Sequence, residues 1–283
     1  MAVFYNQATL SYSGGTTNSN VVTGELTEAF TAAKTAVSGT YAPGETLTYI
    51  LSLVNGGAAA QDGVSVADDL GGYAFDGGTV YPLEYVENSL LYFVNGAQQP
   101  VSSLTVTGSP TLTIDGISVP ADGNAMLIYE AQVTSYAPPG DGGQITNTAA
   151  VTGAGTALTA QAVVTAQAEP LLTVNKAMDP QTVSGSERLT YTFTIQNTGA
   201  AEATAADAIV LSDTFDPVFT DLTVTLGDSP AERATDYTYD EATGAFATVS
   251  GVIIVPAATF AQSANGEWIT TPGVTVVTVT GTV

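Results

Sequence analysis

The chain has 283 residues, 27 of them acidic against four basic, and it contains neither histidine nor cysteine. The net charge of −23 speaks against nucleic acid or an anionic membrane surface as a partner. The missing residue types exclude disulfide bracing, a Cys-based metal site, a His-dependent triad and a zinc hydrolase. Charged residues make up only 11%, and no helix-length amphipathic pattern is present. Turn signals recur roughly every ten residues, the spacing of all-β sandwiches, and the length accommodates two of them. No apolar run is long enough to span a membrane. The first residues lack the basic and apolar regions of a secretory signal. The expectation is that a signal has been removed or that export follows another route, such as lysis of a mother cell. The protein would then act outside, at a cell or spore surface.

The opening segment, Phe4-Tyr5-Asn6-Gln7-Ala8-Thr9-Leu10-Ser11-Tyr12, reads as a β-strand with no partner nearby. Alternation puts Phe4, Asn6, Ala8 and Leu10 on one face. A turn over 13–18 follows, and Val21-Val22-Thr23 reads as a second strand. The next stretch runs through Lys34-Thr35-Ala36-Val37 and Pro43-Gly44-Glu45 to a long strand over 47–54 that closes on Asn55-Gly56-Gly57. From Lys176 the same order returns, through Asp179-Pro180 and Ser186-Glu187 to the strand 189–196 and Asn197-Thr198-Gly199. The lysine precedes the strand tyrosine, Tyr49 or Tyr191, by 15 residues in both copies. Val64-Ser65-Val66-Ala67-Asp68 matches Ile209-Val210-Leu211-Ser212-Asp213, and Ser118-Val119-Pro120-Ala121 matches Ile254-Val255-Pro256-Ala257. The chain is therefore a tandem repeat.

The copies then diverge. In the first, the strand 126–133 is followed by a Pro-Gly-rich turn and the strand Ile145-Thr146-Asn147-Thr148-Ala149-Ala150-Val151. In the second, 276–283 matches only the former. The second copy is thus expected to lack its last strand and to carry an apolar slot lined by unpaired backbone groups. Residues 1–12 have the pattern of the missing piece, with Asn6 where Asn147 stands. Lys34 follows Asn6 by 28 residues, and Lys176 follows Asn147 by 29. The expected division is an N-terminal donor strand over 1–25, a first immunoglobulin-like sandwich over 26–155 and a second over 156–283. The mode of recognition would be donor-strand complementation, and an open head-to-tail contact makes a filament.

The ordered series of Lys34 and Lys176, the stretches 47–57 and 189–199, Asp68 and Asp213, and Asn147-Thr148-Ala149 resembles the bacterial surface repeats called "domain of unknown function eleven". The resemblance covers nearly the whole chain. It implies an immunoglobulin-like fold and an extracellular location, and it implies no activity.

Alternation assigns three polar residues of the first domain and two of the second to the core. Lys34 shares a face with Phe30, Ala32 and Ala36, and Lys176 with Leu172, Val174 and Met178. Asp68 lies with Val64, Val66 and Leu70, Asp213 with Ile209, Leu211 and Phe215, and Asn147 with Ile145, Ala149 and Val151. Lys and Asp are seldom fully buried unless paired. A buried Lys, Asp and Asn resembles the self-cross-linking domains of Gram-positive pilins and adhesins. Burial favours a neutral amine, and a protonated Asp can polarise the Asn carbonyl while ammonia leaves. The expected bonds are Lys34–Asn147 within the chain, assisted by Asp68, and Lys176–Asn6 between chains, assisted by Asp213. Two alternatives stand beside this reading: a buried Lys–Asp ion pair with Asn filling a hydrogen bond, or lysines that snorkel to solvent.

No cofactor is implied. Asp62-Gly63, Asp76-Gly77-Gly78 and Asp141-Gly142-Gly143 lack the ligand spacing of a calcium loop and read as turns. An enzyme acting on an outside substrate has no residue set to support it. The expected partner is a further copy of the same chain. The competing class is an adhesin whose acidic, tyrosine-bearing loops grip a glycan or a protein.

Overall fold

The computed structural model describes residues 2–26, 30–153 and 156–283. Alternating apolar residues along extended segments build two sandwiches, each with its own core. In the first, Leu47, Tyr49, Leu51 and Leu53 of the strand Thr46–Asn55 turn inward to meet Ala125, Leu127, Tyr129, Ala131 and Val133 of Gly123–Val133. Each Leu buried in this way is worth about 2 kcal/mol. One sheet runs in the order Ala97–Gln99, Leu91–Val94, Gly123–Val133, Thr46–Asn55, Phe30–Ala36. The facing sheet runs Thr105–Thr107, Leu112–Val119, Gln61–Asp68, Gln144–Gly153, Thr156–Ala166, Thr40–Tyr41. Together they form an all-β, immunoglobulin-like sandwich.

The strand Thr156–Ala166 belongs to this first sandwich, which corrects the expected boundary at 155. It pairs along its whole length with Gln144–Gly153 and buries Ala160, Ala162 and Val164 in the first core. Residues 154 and 155 themselves lie outside the described residues. The physical reason is the register: Asn147 stands opposite Ala162 and Val151 opposite Leu158, so the two strands present one continuous apolar face.

The second sandwich repeats the first sheet in the order Leu172–Asp179, Arg188–Asn197, Gly273–Thr282, Thr220–Leu226, Ser229–Pro230. Its other sheet has three strands, Ser212–Thr214, Ala245–Thr248 and Tyr237–Tyr239. Its core is aromatic: Phe215 stacks on Tyr191 and on Phe219 at centroid separations of 5.2 and 5.1 Å, and Tyr191 and Phe219 meet tilted at 5.8 Å. The Asn-x-Gly block of each repeat has the same structural task. Asn55 Nδ2 donates to the Ala59, Val119 and Pro120 carbonyls while its Oδ1 accepts from Gly57 N. Asn197 does likewise with Ala201, Pro256 and Gly199, and also accepts from Leu171 N in the interdomain linker.

The opening strand does have a nearby partner, contrary to the sequence expectation. Ala2–Asn6 pairs with Val22–Leu26, and Thr9–Tyr12 pairs with Gly15–Asn18, so residues 2–26 form one long hairpin. One extra residue on the second strand makes a bulge, closed by Ser19 N donating to Ala8 O and by Gln7 Nε2 donating to Ser19 O. Opposite Phe4 stands Gly24, and the Phe4 ring occupies the space its Cβ would take. The hairpin's described large apolar side chains are not buried: Phe4, Tyr5, Leu10, Tyr12, Val21 and Val22 are each more than half exposed.

Candidate functional site

In the first sandwich Lys34 projects from the edge strand Phe30–Ala36, opposite Leu51. Its Nζ reaches across the core to Asp68 Oδ2 at 2.5 Å, with both side chains fully buried. Asp68 Oδ2 also accepts a hydrogen bond from the Tyr129 hydroxyl, and its Oδ1 accepts from Leu70 N at 3.1 Å. Tyr129 stands opposite Tyr49, and the two rings stack at 5.8 Å with Lys34 Nζ over both. Burial pushes the Lys34 amine below its ordinary pKa, against the opposing attraction of Asp68. Burial also raises the phenols of Tyr49 and Tyr129, and the Asp68 charge adds to both shifts.

Asn147 completes the group. Asp68 is paired with Ala149, so Asn147 occupies the adjacent inward position on the same face, the diagonal relation that separates backbones by roughly 7–8 Å. Asp69 fixes that register by donating its N–H to Thr148 O and accepting from Thr148 N. The Asn147 side chain is fully buried beside Tyr49 and Tyr129, where it opposes the upward shift of both phenols, but among the described residues neither Nδ2 nor Oδ1 stands at hydrogen-bond geometry to a partner. A buried polar group left unpaired costs about 1–3 kcal/mol, so native folds rarely keep one without a use for it. The buried Lys34–Asp68 ion pair of the alternative reading is present, while among the described residues no hydrogen bond joins Asn147 to it.

The second sandwich carries the same pair in a different setting. Lys176 stands opposite Phe193, as Lys34 stands opposite Leu51, and its Nζ contacts Asp213 Oδ2 and lies 4.2 Å from the Tyr191 ring centroid. Here the side chains are 41% and 20% exposed, which corrects the core placement expected for Lys176. Every residue of Leu172–Asp179 is exposed, including Leu172, Val174 and Met178. The cause is an open edge. Gln61–Asp68 has strands on both sides, whereas Ser212–Thr214 is paired among the described residues only with Ala245–Thr248. Leu172, Val174, Ile195, Ile209, Val210 and Leu211 line the resulting groove.

Asn6, Phe4, Ala8 and Leu10 lie on the exposed hairpin and do not enter this groove within the chain. Tyr49 and Tyr129 are the site residues that sequence reasoning did not identify as such. The fixed spacing from Lys34 to Tyr49 carried the signal for one of them. Tyr129 carried none, because its counterpart opposite Tyr191 is Val279. Among the described residues no group of acidic side chains is arranged to hold a metal ion, and no helix is long and apolar enough to cross a membrane.

No family model matches the chain, and no curated protein does. Among solved structures the chain is similar to BcpA, the major pilin subunit of Bacillus cereus, at 12% identity and a TM-score of 0.37, covering 95% of this chain and 73% of that one. It is also similar to the major pilin SpaD from Corynebacterium diphtheriae, at 13% identity and a TM-score of 0.36, over 58% of this chain and 42% of that one. A collagen-binding domain from a Staphylococcus aureus adhesin matches 49% of this chain and 99% of its own length, at 11% identity and a TM-score of 0.32.

Proposed function

We propose that the protein is the structural subunit of an extracellular filament, polymerising head to tail by donor-strand complementation and sealed by Lys–Asn isopeptide bonds. One observation carries this reading. The second sandwich has the Lys176–Asp213 pair of the first, but among the described residues no strand pairs with the other edge of Ser212–Thr214 to bring an asparagine to it as Gln144–Gly153 brings Asn147, while Asn6 stands on an exposed apolar hairpin. Asn6 of one copy would therefore reach Lys176 and Asp213 of the next, as Asn147 would reach Lys34 and Asp68 within the first sandwich. The resemblance to the surface repeats called "domain of unknown function eleven" agrees with such a role.

The chemistry needs no outside substrate or cofactor. Within the buried ion pair the lysine ammonium passes a proton to the aspartate; the neutral amine so formed attacks the asparagine Cγ, and the new aspartic acid donates to Oδ1 and stabilises the developing oxyanion. The C–Nδ2 bond then breaks, the aspartate relays a proton from the attacking nitrogen to the leaving one, and ammonia departs. An amide remains and the acid is regenerated. The fold holds the reactants together, so proximity supplies much of the rate.

The intact mass of the first domain's cross-linked chain should fall by one ammonia, and Asp68→Ala should restore the full mass. Loss of one water instead would mean that Lys34 has joined Asp68. Boiling assembled protein in detergent should leave a ladder of covalent multimers that collapses to monomer in Asn6→Ala or Lys176→Ala. Wild-type fibres that dissolve wholly to monomer would refute the intermolecular bond.

A further inference from the structure

The first sandwich contains a template for what should fill the second. Its Gln144–Gly153 strand does not act alone: it forms a hairpin with Thr156–Ala166. The second strand of that hairpin lies against the edge strand Phe30–Ala36, and it is this contact that closes the side of the sandwich over Lys34. Ala160, Ala162 and Val164 are its buried face. The corresponding edge strand of the second sandwich, Leu172–Asp179, is exposed along its whole length, with no strand over it among the described residues.

Residues 2–26 are also a hairpin, with matching geometry around the asparagine. Asn6 stands opposite Val22 as Asn147 stands opposite Ala162, and Phe4 stands opposite Gly24 as Ile145 stands opposite Val164. In that last pair the volume shared by Ile145 and Val164 is carried by Phe4 alone, whose ring lies over Gly24. Leu10 and Val22 complete the apolar face on either side of Asn6. We infer that the element donated to the groove is this whole hairpin from a second copy of the chain. Its first strand adds to the free edge of Ser212–Thr214, and its second strand, within 15–26, covers Leu172–Asp179. This rests on the donor reading above and specifies its partner surface: two strands enter, and the second one buries Lys176.

Methionine footprinting on the full chain tests the inference. Met178 lies on the exposed edge strand at 39% exposure, whereas Met126 lies in the first sandwich, away from the groove. Peroxide oxidation of Met178, relative to Met126, should fall several-fold on assembly of wild-type fibres. A Val22→Asp chain, with its charge on the face that meets the groove, should assemble several-fold more slowly than wild type. Fibres that require residues 2–12 but leave Met178 equally oxidised, with Val22→Asp assembling at the wild-type rate, would overturn the two-strand docking and leave single-strand donation standing. Fibres of the same kind from a chain lacking residues 2–26 would overturn both.

Discussion

At Lys34 two opposing effects meet, and their balance decides the chemistry. The Asp68 carboxylate favours the ammonium, while removal of both side chains from water favours the neutral amine, and the second effect is the larger. Formation of the Lys34–Asn147 bond during refolding should therefore quicken as pH rises through a midpoint below the ordinary lysine value, as followed by the mass of quenched samples. A rate that rises only near the ordinary value would show that the amine reacts before it is buried. The same shift makes a stability prediction for Asn147→Ala, in which the amine persists. There the folded state binds fewer protons at Lys34 than the unfolded chain does, so this residue makes stability rise with pH. The rise begins at the lowered pKa and ends at the ordinary one; urea midpoints across that window measure it. Alternation alone was enough to place Lys34, Asp68 and Asn147 inward, because a period of two leaves no choice once the apolar face is known. It could not place Tyr129 at the carboxylate, since a core tyrosine looks the same in sequence whether or not its hydroxyl has a task.

Among the strands, those with strong alternation were the legible ones, and the hairpins were not. Thr156–Ala166 is rich in Ala and Thr, and two of its four inward residues, Leu158, Ala160, Ala162 and Val164, are alanines; only its partner's register reveals that they form a buried face. The partner of residues 2–12 was half visible as Val21-Val22-Thr23, but the bulge at Ser19 interrupts the period on which a strand is recognised. The open edge in the second domain was legible from the repeat, whose inward Asp213 had no strand to stand beside it. The exposed state of Lys176 follows from that same vacancy and not from snorkelling, because Leu172, Val174 and Met178 are exposed with it. Deleting residues 2–12 should leave the first sandwich folded, since its core takes nothing from them, and should stop polymerisation. Circular dichroism with size-exclusion chromatography measures both. A synthetic peptide of that segment, added in excess, should cap growing ends and shorten the fibres; unchanged length with the peptide demonstrably bound would argue for growth at another surface.

Across the whole molecule the two sandwiches differ in one further element, and it bears on how a fibre bends. Between Pro120 and Gly123 the first repeat turns in two residues, whereas the second inserts the hairpin Thr259–Gln262 and Trp268–Thr271 before Gly273. This insertion reaches back to the first sandwich. Trp268 N donates to Ser135 O at 2.8 Å, Ser135 Oγ to Glu267 Oε1 at 3.1 Å, and Gln262 Nε2 to the Tyr73 hydroxyl at 2.8 Å, while Phe260 packs over Gly140. Tyr73 in turn donates to Tyr136 O, so the brace holds a loop that is itself anchored. The joint within a subunit is thus tied by its linker, through Leu171 and Asn197, and again by the brace. In a head-to-tail fibre the joint between subunits would have the donated hairpin and its isopeptide bond, but the first sandwich has no such insertion to reach back to its neighbour. Bending should therefore concentrate at alternate joints, and the Gln262→Ala chain should lose part of the contrast by loosening the internal joint. Electron microscopy of fibres, with successive domains traced individually, would read this as two alternating angular distributions, narrow within subunits and broad between them. A single distribution at every joint would mean that the brace adds no stiffness beyond what the hairpin and linker already give.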